Sequence, residues 1–295
     1  MRISQGRTIA AVAWLTTACI GARADTNKVD VFAWQEDAVY RAYWGLLTVG
    51  EARISTKTNE TIVVTNWPVV ANGPALTVAT NNPRVSTQTV FAIRLTAQSS
   101  SIVSALYPLR DQIETFVDTN TFLPVMYTQD VREGKRVRNE IITFDHGGSN
   151  AVWEAADRTT NKAIRIAGDT MDVLSLIFRM RMKGFDPGET NNFKVLVDDK
   201  LYDLFLKGDA AYDRKVYLSN FGDIESLPVV PKAKFGEVFV RKGTVKLWFS
   251  RDDRRICVKA LVSVPLASVK AILQKVDGGP AGGDFWTSGK KRKAK

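Results

Sequence analysis

The segment Asp169-Thr-Met-Asp-Val-Leu-Ser-Leu-Ile-Phe-Arg-Met-Arg-Met182 decides the fold class, because it interrupts an otherwise β-prone sequence. It holds no Gly or Pro, and its apolar residues are dense enough to cover most sides of a helix. Asp169 is suited to cap the helix N-terminus, and Asp172 lies where the first turn favours negative charge. One largely buried helix of about three turns is therefore predicted over about residues 169–182.

Alternation of apolar and polar residues dominates the rest of the chain, in short runs separated by Asn, Pro, Gly and Ser. Residues 42–54 predict a strand with a bulge or bend at Gly45 or Gly50. Residues 267–274 alternate as a strand does, although 266–276 also fit helical spacing. Further strands are predicted at 61–66, 89–96, 102–107, 112–118, 122–128, 137–144, 161–167, 193–198, 200–206, 235–240, 244–249 and 254–264.

These elements predict a mainly β protein: a large curved antiparallel sheet or open barrel with one buried helix. The domain organisation expected is a signal peptide at 1–24, a single β-rich domain at 25–276 and a flexible Gly-rich basic tail at 277–295.

The first 24 residues are typical of a secretory signal peptide. Two arginines precede the short apolar run 9–21, and Ala22-Arg23-Ala24 has small residues where a signal peptidase inspects the chain. Cleavage after Ala24 predicts an exported protein of the periplasm or cell envelope, with no transmembrane segment in the mature chain. Lipid anchoring at Cys19 is the alternative, although the preceding tripeptide lacks the aliphatic residue of a lipoprotein motif.

Charge and composition exclude several classes of protein. The 41 Lys and Arg outnumber the 31 Asp and Glu by ten, but much of that excess lies in the signal peptide and the tail. Residues 25–276 hold 33 basic and 29 acidic residues, so a nucleic-acid partner is not expected. A single His excludes a multi-histidine metal site, and no metal or other cofactor is expected. After cleavage Cys257 is the one Cys left, more typical of a buried apolar residue than of a reactive thiol.

Four stretches of the chain carry a resemblance to a known family. They follow one another in the family's order between about residues 38 and 276, and are Tyr43–Ala52, Asp118–Pro124, Asp172–Arg181 and Leu247–Val258. The sequence resembles family 3108 of the domains of unknown function, which implies an exported bacterial envelope protein with a β-rich fold. Cys257 stands where the family usually has Pro. The resemblance carries no established catalytic residue, and none is assigned.

Two groups of residues are candidate ligand-binding sites. In the charged turn 251–255, Arg254 and Arg255 are suited to an anionic headgroup or glycan, with Trp248 as a stacking platform. The alternative is a turn whose Asp residues cap the backbone. Asp172 with Arg179 or Arg181 could form a polar pair in a ligand cavity, or these side chains could simply cap the helix ends.

Common catalytic motifs are absent from the sequence, and His146 precedes Gly147-Gly148, which favours a turn. We therefore expect a non-enzymatic β domain that binds a lipid, a glycan or an envelope protein. The alternatives are a structural envelope scaffold acting through protein contacts and a hydrolase acting on envelope polymers. An apolar pocket of about 300 Å³ or more would favour the lipid hypothesis.

Overall fold

The structure is a computed structural model that describes residues 35–155, 160–209, 215–233, 244–264 and 267–278. The predicted signal peptide with Cys19, the strand predicted at 235–240 and the predicted tail beyond residue 278 lie outside the described residues.

Strands dominate the described chain, with two short helices among them. In chain order the elements are β1 (Asp37–Trp44), β2 (Leu47–Asn66), β3 (Val69–Asn72), β4 (Ala75–Val78), β5 (Arg84–Ser99), α1 (Ser101–Ser104), β6 (Leu109–Asp118), β7 (Pro124–Glu133), β8 (Arg136–Asp145), β9 (Asn150–Ala155), β10 (Asn161–Arg165), α2 (Val173–Lys183), β11 (Thr190–Val197), β12 (Lys200–Gly208), β13 (Lys215–Leu218), β14 (Gly222–Ala233), β15 (Thr244–Ser250), β16 (Cys257–Val264) and β17 (Ala267–Asp277).

Fifteen of the strands form one antiparallel sheet in the order β10-β9-β8-β7-β6-β5-β2-β1-β17-β16-β15-β14-β12-β11, with β13 paired to β14. Strands β3 and β4 form a separate hairpin. The first and last described strands are neighbours, with Asp37 opposite Asp277 and Trp44 opposite Val269. The two ends of the described chain therefore meet in the middle of the sheet.

The sheet curves until its two edges, β10 and β11, approach each other. Leu196 of β11 packs in one apolar cluster with Ile164 and Ile166 from the opposite edge. Lys162 Nζ lies 2.7 Å from Asp199 Oδ2, which adds an ion pair across the same junction. Side chains thus close an open sheet into a barrel-like shape, and the predicted fold class is confirmed.

Helix α2 fills the interior, as predicted. Leu174, Leu176, Phe178 and Met180 are buried in the main apolar cluster, which also contains inward-facing residues of the sheet such as Phe91. Phe178 meets the Phe91 ring edge-on, with 6.3 Å between centroids. No helix in the described ranges is long and apolar enough to cross a membrane.

The helix begins later than predicted, at Val173, and its N-cap is Asp172 rather than Asp169. The reason is tertiary, because Met171 forms a parallel bridge with Val195 of β11. Its N–H donates to Lys194 O at 2.9 Å, and its carbonyl accepts from Leu196 N at 2.8 Å. These bonds hold residue 171 in an extended conformation, so the helix starts only after it.

Two further predictions were wrong in detail. Residues 102–107 were predicted as a strand but form α1 and a turn, because Ser104 N donates back to Ser100 O at 2.8 Å. Residues 42–54 are two strands rather than one, joined by a two-residue turn in which Gly45 has a φ of 60°. The strand alternative for residues 267–274 was correct.

Candidate functional site

Small residues on the inner face of the barrel leave space near one of its ends. Ala42 lies opposite Gly50, and Ala52 lies opposite Ala97, so three neighbouring strands present little side-chain volume there. The result is a pocket of about 420 Å³. Most of its larger lining residues are apolar or aromatic: Trp44, Val49, Val103, Tyr107, Leu109 and Val269. We refer to it as the apolar pocket.

The backbone around Gly50 shows why glycine is needed at this point of the wall. A Cβ at Gly50 would lie 2.4 Å from the carbonyl oxygen of Gln98 on β5. That distance is too short for any side chain unless one of the two strands moves. Strands β2 and β5 therefore approach each other closely beneath the pocket.

Hydrogen bonds fix α1 as one wall of the apolar pocket. Ser100 N donates to Val49 O at 2.8 Å, and Ser100 Oγ donates to Thr48 O at 3.2 Å. Ser99 Oγ accepts from Leu109 N at 3.0 Å, which ties the far end of the connection to the last residue of β5. The loop that carries Val103 and Tyr107 is thus held against β2.

The apolar pocket is open to solvent at a rim of exposed apolar side chains. Trp44 and Tyr107, which line it, retain 56% and 52% exposure. Beyond them Leu46 and Leu106 are 99% and 90% exposed, at the tips of two neighbouring loops. A cavity of this size and lining fits a hydrocarbon chain better than a charged or strongly hydrated group.

Of the six residues predicted to bind a ligand, Trp248 lies in the wall of the barrel. It is buried in the second apolar cluster, together with Ile256 and Val258. Lys259 Nζ lies 4.3 Å from the centroid of its ring, a cation–π contact from the neighbouring strand.

Arg254 and Arg255 lie against the C-terminal end of α2. Arg255 Nη1 donates to the carbonyls of Arg181 and Met182 at 3.1 and 2.8 Å. Arg181 Nη2 donates in turn to Arg254 O at 3.2 Å. The turn and the helix end are therefore linked by reciprocal arginine-to-carbonyl bonds, which satisfy carbonyls that the helix leaves unpaired.

Asp172 caps the other end of the helix and is buried. Its Oδ1 accepts from Leu174 N at 2.8 Å and Ser175 N at 3.0 Å, and its Oδ2 accepts from Thr115 Oγ1 at 2.6 Å. Burial raises the pKa of Asp172, although these hydrogen bonds act in the opposite direction.

Asp172 and Arg181 are both buried but bind different partners at opposite ends of α2. Arg181 pairs with Glu36, with Nη1–Oε1 and Nη2–Oε2 distances of 2.9 and 2.7 Å. Arg179 is half-buried on the same helix. The structure brings Arg181, Arg254 and Arg255 together, whereas Trp248 packs in the second apolar cluster and Asp172 lies at the other end of α2. A ligand-binding role for these six residues stays a prediction.

A second, more polar cleft of about 860 Å³ lies at the opposite end of the barrel and includes His146, Asp118 and Asp145. The two carboxylates cap local turns: Asp118 Oδ1 accepts from Thr121 N at 2.8 Å, and Asp145 Oδ1 accepts from Gly148 N at 2.8 Å. His146 Nε2 lies 2.9 Å from Pro124 O. These side chains have structural partners, which agrees with the turn predicted at His146-Gly147-Gly148. No group of three His, Cys, Asp or Glu within the described ranges could hold a metal ion.

Sequence reasoning missed the apolar pocket. The small residues at alternate positions of 50–52 and at Ala97 are a signal for it, but the signal has meaning only once the register of β2 and β5 is known. The exposure of Leu46 and Leu106 has no signature in a single sequence, since Leu is usual in strands and cores.

A comparison with a solved structure agrees with the fold. The described barrel is similar to a β-barrel-like protein of the domain of unknown function DUF1849 from Brucella abortus, at a TM-score of 0.51 and 9% sequence identity. That match covers 84% of this chain and 99% of the other. A DUF1089 family protein from Pseudomonas aeruginosa gives a TM-score of 0.33 at 10% identity, over 68% of this chain and 89% of the other.

Among curated proteins, none matches this sequence. The family model described as "Protein of unknown function (DUF3108)" matches residues 73–274, which is more than half of the chain. The predicted resemblance is thus confirmed, and the chain belongs to the DUF3108 family.

Proposed function

We propose that this protein binds the hydrocarbon chain of a lipid or of an acyl-bearing glycan in the apolar pocket. The observation that carries the proposal is the pocket itself: about 420 Å³, walled by small and apolar side chains, and open at one end of the barrel. Its volume exceeds the roughly 300 Å³ at which cavities begin to hold small molecules.

The energetics favour a flexible hydrocarbon chain as the ligand. Each methylene group moved from water into an apolar site contributes about 0.8 kcal/mol, so about six buried methylenes contribute about 5 kcal/mol. Among the described lining residues, polar side-chain groups are limited to those of Glu51, Gln98 and Ser99, the Tyr107 hydroxyl and the Trp44 indole N–H, too few to satisfy a ligand that is polar along its whole length. A polar headgroup would remain in solvent beyond the rim.

The proposed setting is the cell envelope. The N-terminal pattern of two arginines, a short apolar run and Ala22-Arg23-Ala24 supports export, since it has the three parts of a secretory signal. The intact mass of the protein recovered from its native cells tests this directly: we expect a chain that begins at Asp25. A chain that retains residues 1–24 would contradict the proposed cleavage.

Mass spectrometry of molecules that copurify with the protein tests the binding function. The variant Ala97→Phe fills the pocket from its floor, and Thr96→Phe places the same ring on the opposite face of β5, where Thr96 is exposed. We expect an acyl-bearing molecule with the wild type and with Thr96→Phe, and its loss from Ala97→Phe. The proposal fails if the wild type carries none, or if all three proteins carry equal amounts.

A further inference from the structure

We infer that the rim of the apolar pocket docks on an anionic lipid bilayer, with Leu46 and Leu106 inserted into it. The inference rests on the proposed function, because the docked rim surrounds the pocket that the hydrocarbon chain would enter. The bilayer would be the surface from which the hydrocarbon chain is taken or to which it is delivered.

Two apolar loop tips project from the same end of the barrel. Leu46 forms the tip of the β1–β2 turn, and Leu106 forms the tip of the connection after α1, where Ile102 is also 73% exposed. The hydrogen bonds from Ser100 to Thr48 and Val49 hold the two loops side by side. Adjacent apolar tips that are almost fully exposed are unfavourable in water and mark an interaction site.

Aromatic side chains lie just behind the tips. Trp44 precedes the β1–β2 turn, and Tyr107 follows Leu106. About half of the surface of each residue is exposed to solvent. Trp and Tyr are enriched at the membrane–water interface, where an apolar ring with one polar atom is most stable. The order from tip to barrel is therefore aliphatic and then aromatic, as in an interfacial anchor.

Basic residues flank the tips on a third loop. Gly134 N donates to Pro108 O at 2.8 Å, and a Cβ at Gly134 would lie 3.0 Å from the Tyr107 ring, so the β7–β8 turn packs directly on the rim. Lys135 and Arg136 in that turn are exposed, and neither forms an ion pair with another described residue.

The nearby acidic residues do not cancel this positive charge. Arg110 at the start of β6 is exposed as well, so three basic residues stand against two acidic ones here: the half-buried Glu133, which lies opposite Arg136 in the β7–β8 pairing, and the exposed Glu51. Three exposed cations beside apolar tips are complementary to anionic lipid headgroups, each of which would attract a basic side chain at short range. This charge favours a bilayer over an uncharged protein surface as the partner.

Sedimentation with vesicles tests the inference, using vesicles of phosphatidylcholine with and without phosphatidylglycerol and the full chain. The test variant is Leu46→Asp with Leu106→Asp. The matched control is Val63→Asp with Val85→Asp, which adds the same charge at two exposed residues near the opposite end of the barrel, 61% and 64% exposed. All variants retain the basic tail, so its attraction to anionic lipid is common to them.

We expect the wild type and the control to bind the anionic vesicles. The Leu46→Asp, Leu106→Asp variant should bind them at least about tenfold more weakly. Lys135→Glu with Arg136→Glu should remove only the additional binding that phosphatidylglycerol gives over phosphatidylcholine alone. Equal binding by the Leu46→Asp, Leu106→Asp variant and the wild type, or no binding by the wild type, would overturn the inference. The second result would leave a protein partner as the occupant of the rim.

Different variants test docking of the rim on vesicles and binding of a hydrocarbon chain in the pocket, so either proposal can fail without the other. Leu46 and Leu106 do not line the pocket, so their Asp variants should still bind a soluble fatty acid. Ala97→Phe should still bind vesicles while it loses the fatty acid. Loss of vesicle binding by Ala97→Phe would contradict the separate roles assigned to rim and pocket.

Discussion

Arg181 in the last turn of α2 and Glu36, just before β1, form a two-point ion pair although 145 positions separate them in sequence. Their side chains are 3% and 2% exposed, so both charges are removed from water. Glu36 is itself held by its backbone, whose N–H donates to Thr56 Oγ1 at 2.9 Å. The pair therefore joins the interior helix to the middle of the sheet, where the two ends of the described chain meet.

Breaking this ion pair from one side should be strongly destabilising. Glu36→Ala leaves the Arg181 guanidinium buried without its counter-charge, and we expect the free energy of unfolding in urea to fall by about 3–5 kcal/mol. The matched control is the exposed pair Lys215–Glu225, with side chains 65% and 64% exposed, where Glu225→Ala should cost less than about 1 kcal/mol. Equal losses at the two sites would show that the buried pair has no special role.

Substitution of Asp172, the observed helix cap, should be destabilising, whereas substitution of Asp169, the predicted cap, should not. Asp172→Ala loses two backbone hydrogen bonds and the bond from Thr115, so we expect a loss of about 1–2 kcal/mol or somewhat more. Asp169 is exposed and lies before the extended residue 171, so Asp169→Ala should change stability by less than about 0.5 kcal/mol. The reverse order of the two effects would contradict the observed start of α2.

The raised pKa of Asp172 predicts a pH dependence of definite sign. Burial raises this pKa above the unfolded value of about 3.9, so within the window between the two values the folded state binds a proton that the unfolded state releases. The stability of the wild type relative to Asp172→Asn should therefore fall as pH rises through that window, and level off above it. Urea unfolding of both proteins from pH 4 upward measures the difference; a relative stability that rises with pH would contradict the assignment.

Gly50 is predicted to be intolerant of even one extra carbon. Gly50→Ala brings a methyl group to 2.4 Å from Gln98 O, and separating β2 from β5 should cost about 1–3 kcal/mol. Gly168 meets nothing within 4 Å, so Gly168→Ala is the control and should be within about 0.5 kcal/mol of the wild type. Thermal or urea unfolding compares the two, and similar stability of both variants would mean that the strands are not held so closely.

Cys257 should be unreactive while the protein is folded. Burial raises the pKa of its thiol to about 12, so little thiolate exists at pH 8. We expect maleimide to label the peptide that contains Cys257 only after denaturation, as measured by mass spectrometry. Rapid labelling of that peptide in the folded protein would instead support a reactive thiol.

Local patterns were sufficient to predict the fold class. Apolar and polar alternation identified most of the described strands, and the density of apolar residues in 169–182 identified the buried helix. The start of that helix was not predictable, because it depends on the bridge between Met171 and Val195, which are 24 positions apart. Residues 102–107 show the same limit, since their β-prone composition is overridden by contacts of Ser100 with β2.

The candidate site was less predictable than the fold. The charged residues Arg254, Arg255 and Arg181 are conspicuous in sequence, yet in the structure they bind carbonyls and Glu36 around the end of α2. The apolar pocket depends instead on residues with little chemistry of their own, such as Ala52 and Ala97, and on the register that places them face to face. Charged residues are easily noticed in a sequence, whereas small residues that leave a cavity are recognised only from the packing of the folded chain.

Quenching of tryptophan fluorescence by a brominated fatty acid tests the proposed hydrocarbon site most directly. Trp44 lines the pocket, whereas Trp248 is buried in the barrel wall away from it. We predict saturable quenching of the wild type that is greatly reduced in Trp44→Phe, abolished in Ala97→Phe and unchanged in Thr96→Phe. Quenching that persists in Ala97→Phe, or that is absent from the wild type, would contradict binding of a hydrocarbon chain in this pocket.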